Sequence, residues 1–145
     1  MVVFEHTTFI GTTELRREKK DVGRSPLTIG RGEDSHVKIH RVLLNAFAGH
    51  LKSDRRVDTD AVADRIGEVS RQHGEVIFDA KSGNCIYVHK GGHPLTAVVG
   101  NDETLLSKGQ SIAFSPERGI RLILHGRDLD HKSINHILVQ VKKVG

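Results

Sequence analysis

Short runs of β-branched or apolar residues, each bounded by Gly, Pro, Asn or Asp, recur along most of this chain, and that spacing leaves few folds open. The runs cover residues 2–4, 27–29, 36–39, 75–78, 85–88, 95–99, 111–114, 121–124 and 137–141. Several alternate between the two faces a strand presents, as in Ile112-Ala113-Phe114 and Ile137-Leu138-Val139-Gln140-Val141. Turn signals fall between them at Lys81-Ser82-Gly83-Asn84, Lys90-Gly91-Gly92, Gly100-Asn101-Asp102 and Pro116-Glu117-Arg118-Gly119. Many short strands without regularly alternating helices predict an all-β sandwich or barrel, not a parallel α/β sheet.

At 145 residues the chain suits one domain, residues 1–145, and 37% hydrophobic with 28% charged residues lets it bury a core. Aromatics are 4% with no Trp, so a row of stacking platforms for single-stranded nucleic acid is hard to assemble. A lone Cys85 cannot form an intramolecular disulfide, and no N-terminal leader pattern is present, so a reducing, cytoplasmic compartment is expected. The apolar runs are far shorter than the roughly 18 to 20 residues that span a bilayer, and a soluble chain with no membrane partner is expected. The net charge of +4 permits an anionic partner without naming one.

One stretch breaks the strand pattern. Leu43, Leu44, Phe47, His50 and Leu51 fall at helical spacing, and Val62 and Ile66 do so again, with Thr59 as an N-cap, Asp60 in the first turn and Gly67 at the stop. This predicts a helical insertion at about 41–66. Its apolar stripe, Val42, Leu44, Phe47, Leu51, Val62 and Ile66, either packs on the host sandwich or offers a surface to a partner; with strands on both sides able to pair without it, the insertion is expected to matter more for partner choice than for folding.

Three blocks carry the chemistry. Pro26-Leu27-Thr28-Ile29-Gly30-Arg31-Gly32 runs a strand into a glycine that frees the backbone and presents Arg31 at the sheet end. Val69-Ser70-Arg71-Gln72-His73 sets a hydroxyl beside a guanidinium just before the next strand. His89-Lys90-Gly91-Gly92-His93 is a tight turn with another cation and exposed amides. A tetrahedral phosphate is suited to this combination of forked Arg bonds, a Ser hydroxyl and convergent backbone N–H groups. Each block taken singly also reads as an ordinary solvated turn.

The order and spacing of Thr28-Ile29-Gly30-Arg31, Val69-Ser70-Arg71-Gln72-His73, a Gly-containing turn, and Leu105-Leu106-Ser107-Lys108-Gly109-Gln110-Ser111-Ile112-Ala113-Phe114 resemble the forkhead-associated (FHA) family over roughly residues 27–124. The resemblance implies a β-sandwich whose loops at one end bind phosphothreonine peptides, hence a non-enzymatic module that joins a phosphorylated protein or peptide. It implies that Arg31 grips phosphate, Ser70 donates its hydroxyl, Arg71 adds charge or a backbone contact, and Lys90 adds a further phosphate contact. Gly30, His73, Gly91 and Gly92 would be structural support, His73 tying its loop together. Three departures stand out: Gly91-Gly92-His93 replaces the family's Asn-Gly-Thr turn, Gln110 replaces an Asp, and 39 positions separate Arg31 from Ser70.

Other chemistries rank lower. Among ten His, the pairs His36/His40 and His89/His93 are four apart but fall in a predicted strand and a turn, so neither shares a helix face for a metal, and no cofactor is implied. No Gly-x-Ser-x-Gly elbow or Walker loop is present. The basic residues Arg16, Arg17, Lys19, Lys20, Arg55 and Arg56 are interleaved with Glu14, Glu18, Asp21, Asp54 and Asp58, which argues against nucleic acid. The closest rival is an FHA-like scaffold that no longer reads phosphate and joins a larger assembly through its insert or a sheet face.

Overall fold

The computed structural model describes residues 2–40, 58–124 and 136–145. Within these residues eleven strands form two packed sheets. The larger is built from β1 (Val3–Ile10), β2 (Thr13–Asp21), β7 (Leu95–Val99), β8 (Asp102–Leu106), β10 (Ile120–Ile123) and β11 (Ile137–Lys143), in the order β2-β1-β11-β10-β7-β8. The smaller is built from β3 (Leu27–Gly30), β4 (Val37–Lys38), β5 (Gly74–Asp79), β6 (Asn84–His89) and β9 (Ser111–Phe114), in the order β4-β3-β5-β6-β9. All pairings are antiparallel except β3 with β4. The described residues thus form an all-β sandwich with one short helix.

The core lies between the sheets and is made by the alternation that the sequence displays. Leu27, Ile29, Val76, Cys85, Tyr87 and Phe114 come from the smaller sheet, and Phe4, Ile10, Leu95, Ala97, Leu122, Val139 and Val141 from the larger. Registers match across strands: Ala97 pairs with Leu122, and Leu122 with Val139, so three buried residues form a row.

Four strands depart from expectation. The first run extends from Val3 to Ile10 and turns at Gly11, whose φ of 60° lies in the left-handed region. It pairs with β2, in which only Leu15 is fully buried. Arg16, Arg17, Lys19 and Lys20 therefore belong to a sheet edge, where charge discourages pairing with another chain. At the opposite edge β8 is likewise mostly exposed, with Leu106 alone buried. Neither polar edge carries the apolar alternation on which strand prediction rests. The run expected at 36–39 shortens to Val37–Lys38.

The helix α1 (Thr59–Gly67) is capped one residue earlier than expected. Asp58, not Thr59, is the N-cap: its Oδ1 accepts the N–H groups of Asp60 at 3.0 Å and Ala61 at 3.2 Å. Asp60 in the first turn and Arg65 in the last suit the helix dipole. Val62 and Ile66, one turn apart, are 0% and 2% exposed within the core, so this part of the predicted stripe stabilises the sandwich and is not offered to a partner. Val42, Leu44, Phe47 and Leu51 lie outside the described residues.

The strand directions give the sandwich two distinct ends. At one end β1 begins and β11 finishes: the Val3 N–H donates to the Gly145 carbonyl at 2.9 Å, and the Val144 N–H to that of Val3 at 2.8 Å. The β5–β6 turn, including Asn84, is at this end too, since Cys85 pairs with Phe114 and Lys143 bonds Pro116. The loops holding Arg31, Ser70 and Lys90 lie at the other. Among the described residues, no helix is long and apolar enough to cross a membrane.

Candidate functional site

Three loops meet at this other end: the β3–β4 loop after Gly30, the segment from α1 to β5, and the β6–β7 turn. Backbone bonds stitch the first two together. The Arg31 N–H donates to the Ser70 carbonyl at 3.0 Å, the Gly32 N–H to the Arg71 carbonyl at 3.1 Å, and the His73 N–H to the Ile29 carbonyl at 2.9 Å. This approach demands glycine at position 30, where a Cβ would sit 2.0 Å from the Arg71 carbonyl oxygen. The third loop joins through the Lys90 N–H, which donates to the His73 carbonyl at 2.8 Å, and through the Gly92 N–H, which donates to Ser70 Oγ at 3.1 Å.

His73 is the buried post under all three. Its Nδ1 accepts the Ser70 N–H at 3.0 Å, which leaves Nε2 to carry the proton and donate to the Leu124 carbonyl at 3.0 Å. Burial, then the neighbouring His89 ring, lower its pKa from 6.5 to about 4. The two imidazoles stand edge to face, 4.9 Å between centroids. His89 is fixed in turn: its Nε2 donates to the His93 carbonyl at 2.7 Å and its Nδ1 accepts from Tyr87 Oη at 3.0 Å. Gly91 lies directly on the pair, where a Cβ would meet His73 Nδ1 at 2.5 Å and His89 Cε1 at 3.0 Å. Gly30 and Gly91 lie where a Cβ would collide with their neighbours, whereas Gly92 contributes a backbone N–H and has nothing within 4 Å of where a Cβ would be.

Arg31, Arg71 and Lys90 line one groove of about 870 Å³, which runs from these loops along the smaller sheet past Thr28, Lys38 and Gly74. Arg31 is half-buried and its Nε donates to the Val69 carbonyl, which anchors the side chain; its terminal nitrogens have no partner among the described residues. The exposed Arg71 guanidinium has none either. Ser70 lies beside the lining. Its oxygen accepts from Gly92, so its hydroxyl proton remains to be donated outward.

Carboxylates also line the groove. The Lys90 Nζ lies 3.1 Å from Glu75 Oε2, an ion pair in which Glu75 is 19% exposed. Glu33 and Asp34, exposed on the turn after Arg31, complete a lining with four cations and three carboxylates. Sequence reasoning missed Glu75. Its only signal was an acidic residue at an outward position two places after His73, and its pairing with Lys90 follows from the β5–β6 register, in which Glu75 stands opposite Val88.

A smaller hollow of about 490 Å³ on the larger sheet, touched by Phe9, Leu138 and Arg121, contains none of the residues singled out in the sequence. Among the described residues no group of three His, Cys, Asp or Glu is placed to hold a metal. The arrangement can offer a tetrahedral anion the terminal nitrogens of Arg31, the Arg71 guanidinium, neither paired with a carboxylate among the described residues, a hydroxyl proton and a third cation already engaged by a carboxylate. Neither a family model nor a curated protein matches this chain.

Proposed function

We propose that the chain is a non-enzymatic FHA-type interaction module that recognises phosphothreonine in a partner protein or peptide. The observation carrying this reading is the cross-loop bonding of Ser70 and Arg71 to Arg31 and Gly32, with both guanidiniums lining one groove and, among the described residues, no carboxylate paired to either. A phosphothreonine carries close to two negative charges and three acceptor oxygens at neutral pH, which suits that pair of forks. Arg31 is the main grip, Arg71 the second, and Ser70 a neutral donor. No part of this set supplies a nucleophile with an adjacent base: His73 spends both ring nitrogens on structure.

The test is calorimetry with a phosphothreonine peptide library and its unphosphorylated counterpart. Charge-assisted hydrogen bonds contribute on the order of 1.5 to 3 kcal/mol each, so Arg31→Ala is expected to weaken phosphopeptide binding by about one to two orders of magnitude. Ser70→Ala costs less. Equal binding of both peptide forms would favour the scaffold reading, to which the carboxylates Glu33, Asp34 and Glu75 in the groove also lend support.

A further inference from the structure

The groove contains a feature that an anion site would not need. Lys90, the third cation of the set, is not free: Glu75 holds its ammonium at 3.1 Å, and Glu75 itself lines the groove on a rigid strand. Being mostly shielded from water, the carboxylate keeps more of its field than a fully exposed one. An incoming anion therefore meets Arg31 and Arg71 with no carboxylate paired to them among the described residues, but finds Lys90 already neutralised and a fixed negative charge beside it.

We infer that the Glu75–Lys90 pair is a built-in brake on anion binding, Glu75 standing as an internal competitor for the cation that the bound anion would otherwise take. This deepens the reading of the groove as a phosphate site and rests on it. In the parent protein Glu75 engages the Lys90 ammonium, which is then not free to grip phosphate. The two residues have opposite effects that offset each other when both are removed.

Inorganic phosphate at pH 7.5 is the probe, with binding followed by the backbone amide shifts of Arg71 and Gly92 in parent, Glu75→Gln, Lys90→Ala and the double variant. Glu75→Gln is expected to bind phosphate about three- to tenfold more tightly, the size of a nearby unit charge acting on a dianion in a hydrated groove. Lys90→Ala is expected to bind more weakly by a similar factor, and the double variant to return to within about twofold of the parent. A Glu75→Gln protein that binds phosphate no better than the parent overturns the brake, as does a double variant as weak as Lys90→Ala. The same proteins are titrated with matched phosphothreonine and unmodified peptides. If Glu75→Gln gains phosphate affinity but neither peptide form is preferred, the brake stands and the phosphopeptide reading fails.

Discussion

The backbone N–H of Ser70 is held by the Nδ1 of His73 at 3.0 Å, so the loop that presents the candidate phosphate donors is fixed by an imidazole that must stay neutral. His73→Ala leaves that N–H and the Leu124 carbonyl without their partner. The expected loss is about 2 to 6 kcal/mol, the cost of two unsatisfied groups, one buried and one part-buried. Urea unfolding measures it, and a loss under 1 kcal/mol would show the post to be dispensable.

The same imidazole makes stability depend on acidity. With its pKa lowered to about 4 in the fold, mainly by burial and next by His89, His73 resists a proton that the unfolded chain accepts from about pH 6.5 downward. Its stabilising contribution is complete above pH 6.5, is lost progressively as pH falls from 6.5 to about 4, and shrinks no further below. The span corresponds to on the order of 3 kcal/mol. His6, His36 and His89 are shifted down as well, chiefly by burial, and act in the same direction. Urea midpoints between pH 7.5 and 4 should fall, and should fall less in His73→Gln; parallel curves for the two proteins would assign the acid sensitivity elsewhere.

Gly91→Ala is expected to destabilise the protein by about 1 to 3 kcal/mol and to move the β6–β7 turn, because the added methyl collides with both His73 and His89. Gly92→Ala, where nothing lies within 4 Å of the added Cβ, is the matched control and should be close to parental. Thermal melting of the two variants side by side checks the contrast, and equal melting temperatures would contradict the packing described here.

Ile66→Ala in α1 should cost about 2 to 5 kcal/mol, since its side chain is buried within the sandwich core. The consequence for the inserted segment is specific: a linker that replaces residues 58–67 should destabilise the sandwich. Denaturant midpoints of such a protein, compared with the parent, decide the matter.

Cys85 is buried, and burial raises its thiol pKa to about 11. A neutral, covered thiol is a poor nucleophile. Labelling by a thiol reagent at pH 7.5 should be slow in the native protein and should track unfolding as denaturant is added; immediate stoichiometric labelling would show the site to be open.

The two-sheet architecture was legible because it depends on alternating apolar residues, which Ile112-Ala113-Phe114 and Ile137-Leu138-Val139 display openly. The edge strand β2 was not, because an edge strand can carry charge on both faces, as the consecutive residues Arg16 to Lys20 do. The grouping of Arg31, Arg71 and Lys90 came from their place at strand ends, a topological property that survives without coordinates. Glu75 escaped because its role depends on which residue stands diagonally across the β5–β6 pair, and a register is fixed by turns and packing, not by local spacing. The N-cap was misplaced by one residue because Asp58 and Thr59 are both good caps, and only their backbone angles decide between them.

The bonds joining Val3 to Gly145 and Val144 put the first and last strands' outer limits side by side, on the far side of the sandwich from Arg31 and Arg71. Anything attached through either limit, whether a tag, a bead or a neighbouring module, therefore leaves the groove facing outward, and two copies tethered there can reach for separate targets without covering each other. For the same reason a short bridge between the two limits, with new ones opened at the exposed β5–β6 turn, would keep every loop of the groove intact.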